Sequence, residues 1–462
     1  MLRDRVQKLE ARLERLELEL AKAGRHSGNS SKPPSSDIIK GEDPGQKPGD
    51  SGPPKRKIGG QPGHPRQERK AFSAEEVDKI VSHGAPKVCP LHGTPLEERA
   101  GAAPEVVQQI VLPKKLYEVH EHRAFGGWCA ACRKIHYAPL PKEVEAGGLA
   151  GAELTALCGY LKGGLSLSFS EMRSFFAEVF GLEFSTGYLT KLARRSGESA
   201  EAPFAELVAQ LPLEEKLFID ETGHPEKGER WWTWVFRAAT FSCFVIRKSR
   251  AGAVLEKVLG REFGGLIHCD YFGAYRKFGE ECLVMTQFCL AHLIRDIRFL
   301  AESPDLIARD YGQGLLDRMR ALFHLWHERK ESGAEEIPPG LRLARMELLE
   351  FATSPPEGEE AHPLIANMAK RFRENGDGYF LFLSLPGVEP TNNLAEQALR
   401  FVVMARRKTQ GTRGERGRSF CERLWSLKTT CRMRGRSLYA FLRESAQAYL
   451  TGAPAPTLLP ST

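Results

Sequence analysis

Three short segments constrain this chain more than any other feature: Leu217-Phe218-Ile219-Asp220-Glu221-Thr222-Gly223, His268-Cys269-Asp270-Tyr271-Phe272-Gly273-Ala274-Tyr275, and Thr391-Asn392-Asn393-Leu394-Ala395-Glu396-Gln397-Ala398-Leu399-Arg400. Each sets one carboxylate at the end of a predicted element, the first two on strands and the third in the first turn of a helix. Carboxylates converging from such elements suit hard divalent cations, which favour oxygen ligands. Two such cations, roughly 4 Å apart, activate an attacking oxygen and stabilise a leaving oxygen in phosphodiester chemistry. Asp220, Asp270 and Glu396 are therefore the candidate catalytic residues and ligands for Mg²⁺ or Mn²⁺ in an enzyme acting on nucleic-acid backbones.

A lone Asp after Leu-Phe-Ile more often just ends a strand, so the order of elements has to carry the argument. Lys216–Asp220 is predicted as a strand, Trp231–Phe236 and Ala239–Lys248 as a hairpin pair, and Gly252–Leu259 as a helix. Strand Gly265–Asp270, helix Ala274–Glu280, strand Leu283–Cys289 and, after Pro390, helix Asn393–Ala405 follow. That order is the order of an RNase H-like core. The gap between Asp270 and Glu396 requires a helical insertion, about 297–388, where Leu315, Met319, Leu322 and Trp326 share a face. The fold class expected is α/β and multidomain: an RNase H-like catalytic core (206–410, insertion included), a basic C-terminal segment (411–462), and smaller modules in front.

Those modules differ sharply in composition. Residues 1–23 carry Leu2, Val6, Leu9, Leu13, Leu16 and Leu20 at alternating spacings of four and three, the seam of a leucine-zipper coiled coil. A helix this short is marginal alone, so a partner chain, and hence a homo-oligomer, is expected; docking on its own protein is the alternative. Residues 24–72 are Gly, Pro, Ser and charge, a basic segment too poor in apolar surface to fold, which serves either as a solvated linker or as a DNA-trailing one. Residues 73–145 form a small module with strand-like alternation over Glu105–Leu112 and two ligand pairs, Cys89-x-x-His92 and Cys129-x-x-Cys132. Four such ligands suit one structural Zn²⁺, with His83 and His136 as spare candidates. Residues 146–205 are helical: Phe169–Val179 and Thr186–Arg195 flank a Gly-containing turn with Ser185 as N-cap, like a helix-turn-helix DNA-binding segment or an ordinary helical pair.

The net charge of +7 is unevenly spread. Arg400 to Arg436 holds twelve Lys/Arg against Glu415 and Glu422, so the remainder is slightly acidic. Arg400, Arg406, Arg407, Lys408, Arg413, Arg416 and Arg418 are the candidate phosphate contacts, with glycines 411, 414 and 417 allowing close backbone approach. Neutralising about six phosphates would make affinity fall by orders of magnitude between low and moderate salt. Cys289-x-x-His292, with Arg295 a turn later, follows a strand; metal binding, phosphate orientation and a structural role are the readings open to it, the structural one being favoured. The other cysteines are scattered, which fits a reduced compartment rather than a disulfide scaffold. The N-terminus lacks the apolar stretch of a signal peptide, and no run nears the roughly 20 apolar residues that span a bilayer. A cytoplasmic, nucleoid-associated protein is expected, with no membrane partner.

Over nearly its whole length the chain resembles the transposases of the insertion sequence 66 family, members of the DDE class. The matching motifs are the short zipper, Asn29-Ser30-Ser31-Lys32-Pro33-Pro34-Ser35-Ser36-Asp37, Gly59-Gly60-Gln61-Pro62-Gly63-His64 and the cysteine module. They continue with Asp220-Glu221-Thr222, Asp270-Tyr271-Phe272-Gly273-Ala274-Tyr275, Cys289-Leu290-Ala291-His292 and Asn392-Asn393-Leu394-Ala395-Glu396. His92 departs from the family's usual cysteine pairs. The resemblance implies that Asp220, Asp270 and Glu396 are the catalytic triad of a DNA transposase. It implies Mg²⁺-dependent hydrolysis at transposon ends, then attack of the freed 3′-hydroxyl on target DNA. Partners so implied are terminal inverted repeats, target DNA and accessory proteins of the same element. Two other functions remain open: an RNase H-like nuclease without strand transfer, and a catalytically dead DNA-binding protein.

Overall fold

The computed structural model describes residues 71–84, 86–96, 105–333, 336–355 and 362–459. The expected zipper and all but the last two residues of the 24–72 segment lie outside these. The chain divides into two compact units, Gly41–Glu121 and the remainder. That boundary falls inside the expected 73–145 module, so Cys89 and His92 belong to one unit and Cys129 and Cys132 to the other.

In the smaller unit, the alternation over Glu105–Leu112 does not produce a strand. Among the described residues the backbone there pairs with no strand, and Val106, Val107, Ile110, Val111 and Leu112 are exposed. Alternating residues favour an extended backbone, but a strand also needs a neighbour to take up its N–H and C=O groups. In the larger unit, β1 (Gly126–Cys129) and β2 (Lys134–Tyr137) form an antiparallel hairpin. Helices follow. Phe169–Phe175 opens with a capping box, in which Ser168 Oγ accepts from the Glu171 N–H (3.1 Å) and Glu171 accepts from the Ser168 N–H (2.6 Å). The helical run ends at Gly181, whose φ of 65° costs a residue without Cβ nothing. The next helix, Thr186–Ser199, is capped by Ser185.

Asp220 lies on a five-stranded mixed sheet, and Asp270 follows directly after one of its strands. In chain order its strands are β3 (Lys216–Glu226), β4 (Glu229–Arg237), β5 (Ser242–Arg247), β6 (Leu266–Cys269) and β7 (Met285–Phe288). In space the order is β5-β4-β3-β6-β7, antiparallel through the first three and parallel through the last three. Both faces are buried. Leu217, Ile219, Trp234, Phe236, Val245, Ile267 and Cys269 belong to the main core. The alternate positions Val235, Phe244 and Ile246 pack with Ala395, Leu399, Val402 and Trp425 in a second one. Period-two alternation thus puts the helix that carries Glu396, Asn393–Thr409, against one face of the sheet.

Strand β5 lies at the edge, and the helix Glu415–Met433 covers it. The Ser242, Phe244 and Ile246 N–H groups donate to Thr430 Oγ1 (3.2 Å), Ser426 Oγ (2.8 Å) and Glu422 Oε1 (2.6 Å). Steps of two along a strand and four along a helix both advance about 6 Å, so the registers match. An edge that would otherwise offer bare N–H groups to another chain is closed. Between β7 and the Glu396 helix stand Leu306–Ser332, Pro339–Thr353 and Pro363–Asn375, a helical stretch where the insertion is expected.

Candidate active site

The parallel register between β3 and β6 pairs Phe218 with His268, and Asp220 and Asp270 each lie two residues beyond that pair. Neighbouring strands run about 4.8 Å apart, so the two carboxylates leave the sheet side by side. Glu396 arrives by a different route. The Asn392 amide donates to the Ile219 carbonyl (2.7 Å), and the Asn392 N–H donates to Cys289 Sγ (3.2 Å). Cys289 is itself held by its N–H on the Cys269 carbonyl (2.8 Å). One buried asparagine thus joins the start of the Glu396 helix to the strands bearing Asp220 and Asp270. Glu396 follows one turn later.

The electrostatics are those of a crowded acidic site. Burial, reinforced by the charges of Glu221, Asp270 and Glu396, raises the Asp220 pKa well above the usual carboxylate range, against one N–H from Glu221 (2.9 Å). Burial and Glu221 push Asp270 up to about 6, opposed by the Phe272 N–H (3.0 Å) and by Arg250 and Arg371. The three acids do not converge on a single point. Among the described residues, the groups of Cys, His, Asp and Glu with ligand atoms all within 4.8 Å of one another are Cys289–His292–Glu396 and Cys129–Cys132–His136. Glu396 Oε1 lies 3.6 Å from His292 Nε2 and 4.0 Å from the Arg295 guanidinium, and makes no hydrogen bond. Burial and Arg295 lower the His292 pKa to about 4, so this imidazole is neutral near pH 7. With Arg295 beside it and its thiol already accepting from Asn392, the Cys289–His292 pair suits a joint that steadies Glu396 better than a cation site.

Several residues here carry no signal in the sequence. Glu221 is buried, accepts from Arg250 Nε (2.7 Å) and takes a hydrogen bond from the Tyr275 hydroxyl. Arg250 lies over the rings of Phe272 (3.8 Å) and Trp232 (4.6 Å). Arg371, from the inserted helices, covers the Tyr271 ring (4.1 Å) while bonding Asp296 (2.8 Å) and Tyr379 (2.5 Å). Only contacts across distant segments define these roles, so no local motif reports them.

Each pair of candidate zinc ligands is close-set within its own unit. Cys89 Sγ stands 3.5 Å from His92 Nδ1. Cys129 receives the N–H groups of Cys132 and Ala131, which lower its pKa toward the thiolate that a metal binds. Cys132 Sγ is 3.1 Å from His136 Nε2, so His136, a spare candidate from the sequence, joins Cys129 and Cys132.

The basic tract divides in two. Arg400, Arg407, Lys408, Arg413 and Arg416 are exposed, although Lys408 pairs with Glu171 (2.9 Å). Arg406 turns inward to Thr222 Oγ1 (2.7 Å) and the Gly223 carbonyl, and Arg418 to Glu226 and the Trp231 ring.

A family model described as the transposase IS66 family matches residues 147–419, more than half the chain and all of this site. The chain belongs to the IS66 transposase family. Residues 1–70 match a family of unknown function, DUF6444. Two uncharacterized proteins of Sinorhizobium fredii are similar. The protein y4jD is 21% identical over 369 residues, covering 72% of this chain and 70% of its own length. The protein y4hP is 25% identical over 345 residues, covering 66% and 60%. Membership of this family supports a transposase in general, and the family implies DNA binding and the use of divalent metal. Among the described residues no helix is long and apolar enough to cross a membrane.

Proposed function

We propose that this chain cuts DNA at the terminal inverted repeats of a transposon and joins the freed 3′ ends to target DNA, with Asp220, Asp270 and Glu396 as its catalytic carboxylates. The observation carrying this reading is the shared register of Asp220 and Asp270 on adjacent parallel strands, with Asn392 fastening the Glu396 helix to the same strand. The β5-β4-β3-β6-β7 order supports an RNase H-like core for 206–410, with the helices after β7 as its insertion.

The residues fit a divalent cation, because Asp220 and Asp270, both raised by burial and by neighbouring acids, and a buried Glu396 oxygen without a donor form a site short of positive charge. Asp220, Asp270 and Glu396 would hold Mg²⁺ or Mn²⁺, which when bound supplies charge neutralisation at the scissile phosphate and activation of the attacking oxygen. His292 and Arg295 steady Glu396, and the exposed Arg400, Arg407, Lys408, Arg413 and Arg416 offer charge to the DNA backbone. Cys129, Cys132 and His136, with Cys89 and His92 as a second knuckle, are candidate structural Zn²⁺ ligands. The 146–205 helices would contact transposon ends, and the 1–23 zipper would pair protomers. Accessory proteins of the same element, and a cytoplasmic, nucleoid-associated location, complete the proposal.

The test supplies pre-nicked inverted-repeat DNA and a plasmid target with Mg²⁺. Joined product is expected. Cut product from unnicked ends without joining would leave a nuclease, and DNA retention without either product would leave a binding protein.

A further inference from the structure

We propose that Glu221 and Tyr275 form a tie that sets the spacing of Asp220 and Asp270, and so act as positioning residues for metal binding. The proposal rests on the reading of those two aspartates as metal ligands. Glu221 follows Asp220 on β3, with its side chain almost wholly buried. Tyr275 is fully buried in the first turn of the helix Gly273–Cys282, which begins three residues after Asp270. Its hydroxyl donates to Glu221, so one hydrogen bond spans from the strand carrying Asp220 to the helix that anchors Asp270.

The surroundings fix both partners. Trp234 on β4 meets the Tyr275 ring edge-on at 6.0 Å, and Phe272, whose N–H holds Asp270, meets it at 6.5 Å. Arg250 supplies the counter-charge that a buried carboxylate needs, at 2.7 Å from Glu221, with Phe272 and Trp232 against its guanidinium. A buried glutamate beside two acids is costly where the fold alone is at stake. The same group is useful where two ligands must stand at a set distance while their mutual repulsion pushes them apart. Residues that hold ligands in this way change metal affinity by roughly 10- to 100-fold when altered.

The experiment measures Mn²⁺ affinity of the full-length protein by the loss of the free-ion paramagnetic resonance signal, and in parallel the Mg²⁺ concentration giving half-maximal end cleavage. For Tyr275→Phe, both constants are expected to rise about tenfold or more, with the rate at saturating Mg²⁺ within about threefold of wild type. A purely structural role would instead lower the melting temperature and the saturated rate and leave both constants unchanged; that result overturns the proposal. A second comparison covers poor folding of this variant. Glu221→Gln keeps an oxygen for the Tyr275 hydroxyl but gives up the charge facing Arg250, so both constants should rise less than in Glu221→Ala, whose effect should equal or exceed that of Tyr275→Phe. Equal effects of Gln and Ala overturn the tie. Wild-type protein that binds Mn²⁺ but cuts no DNA would remove the proposed function while the affinity comparison still judges the tie; failure to bind Mn²⁺ at all overturns both.

Discussion

Two groups of buried acids in this protein follow opposite rules. At the far end of β3, Glu226 pairs with Arg418 and accepts from Thr412 Oγ1 (2.7 Å), and at the sheet edge Glu422 pairs with Arg247 (2.6 Å) and accepts the Ile246 N–H. Each of those acids has its own cation and its own hydrogen-bond donors. Around Asp220 the acids outnumber the cations: Asp220, Glu221, Asp270 and Glu396 face Arg250 and, at longer range, an Arg371 already bonded to Asp296, while Arg295 lies at the limit of ion-pair distance. Charge is satisfied where the fold is being fastened and left unsatisfied at the proposed cation site. The two groups should therefore answer differently to the same kinds of substitution.

The largest difference concerns activity. Asp220→Asn, Asp270→Asn or Glu396→Gln should each lower strand cleavage by on the order of 10³-fold or more, since a bound cation contributes several kcal/mol to the transition state. Binding of end DNA, followed by mobility shift, should change little. Cleavage near the wild-type rate by any one of them removes that residue from the site.

The paired group should answer in stability instead. Arg418→Met leaves Glu226 buried without its cation, and breaking such a pair costs about 3 kcal/mol. Urea unfolding should show that loss, and Arg418→Met with Glu226→Gln should recover most of it. The exposed set gives the control. With Arg400, Arg407, Arg413 and Arg416 changed to Ala, stability should hold, but the slope of log affinity against log salt should fall by roughly three to four. If Arg418→Met shifted that slope and spared stability, it would belong with the DNA contacts and the contrast would fail at this point.

The next contrast is in pH. Folded Asp270 titrates at about 6, well above its value in an unfolded chain, so the folded protein binds this proton more tightly. The associated stabilisation is present below about pH 4 and is lost as pH rises through 6, amounting to about 3 kcal/mol. Without divalent metal, Asp270→Asn should therefore gain stability relative to wild type between pH 4 and 6.5. Adding Mg²⁺ at pH 7 should raise the melting temperature of wild type more than that of the variant. A gap between the two proteins that stays flat with pH would mean that Asp270 is not crowded by its neighbours.

How much of this was legible in the sequence depended on whether the cause was local. Asp220, Asp270 and Glu396 stand out in the sequence because each lies at the edge of a segment whose apolar pattern announces an element, and apart from the end of β3 the predicted strands and helices of the core fall within a few residues of those observed. Strand β3 runs to Glu226 rather than stopping at Asp220, because β4 pairs with it from Phe218 through Glu226. That pairing is invisible from either segment alone. The Glu105–Leu112 segment differs for the converse reason, as its pattern is present and no paired strand is found among the described residues. Glu221, a second acid beside Asp220, has no signature of its own; its contacts come from Arg250 and Tyr275, 29 and 54 residues away in sequence. The basic tract was legible as charge but not as direction, since only packing turns Arg406 and Arg418 inward while Arg407 and Arg416 face solvent.

The smallest effect tests the edge of the sheet. Ser426 is buried, and its hydroxyl accepts from the Phe244 N–H (2.8 Å) while donating to the Glu422 carbonyl (2.6 Å). Ser426→Ala removes the acceptor and leaves a buried strand N–H unmet, which costs about 1–2 kcal/mol. Cleavage under saturating Mg²⁺ should be unaffected, because β4 separates β5 from the strand that carries Asp220. Thr430→Val, one step further along the helix, removes the same kind of acceptor from Ser242 and should cost a similar amount. The two losses should then add to within about 0.5 kcal/mol if each hydroxyl acts on its own N–H. A double variant much less stable than that sum would mean that the helix and β5 separate as one piece, and the edge would then be a single cooperative joint rather than a row of independent bonds.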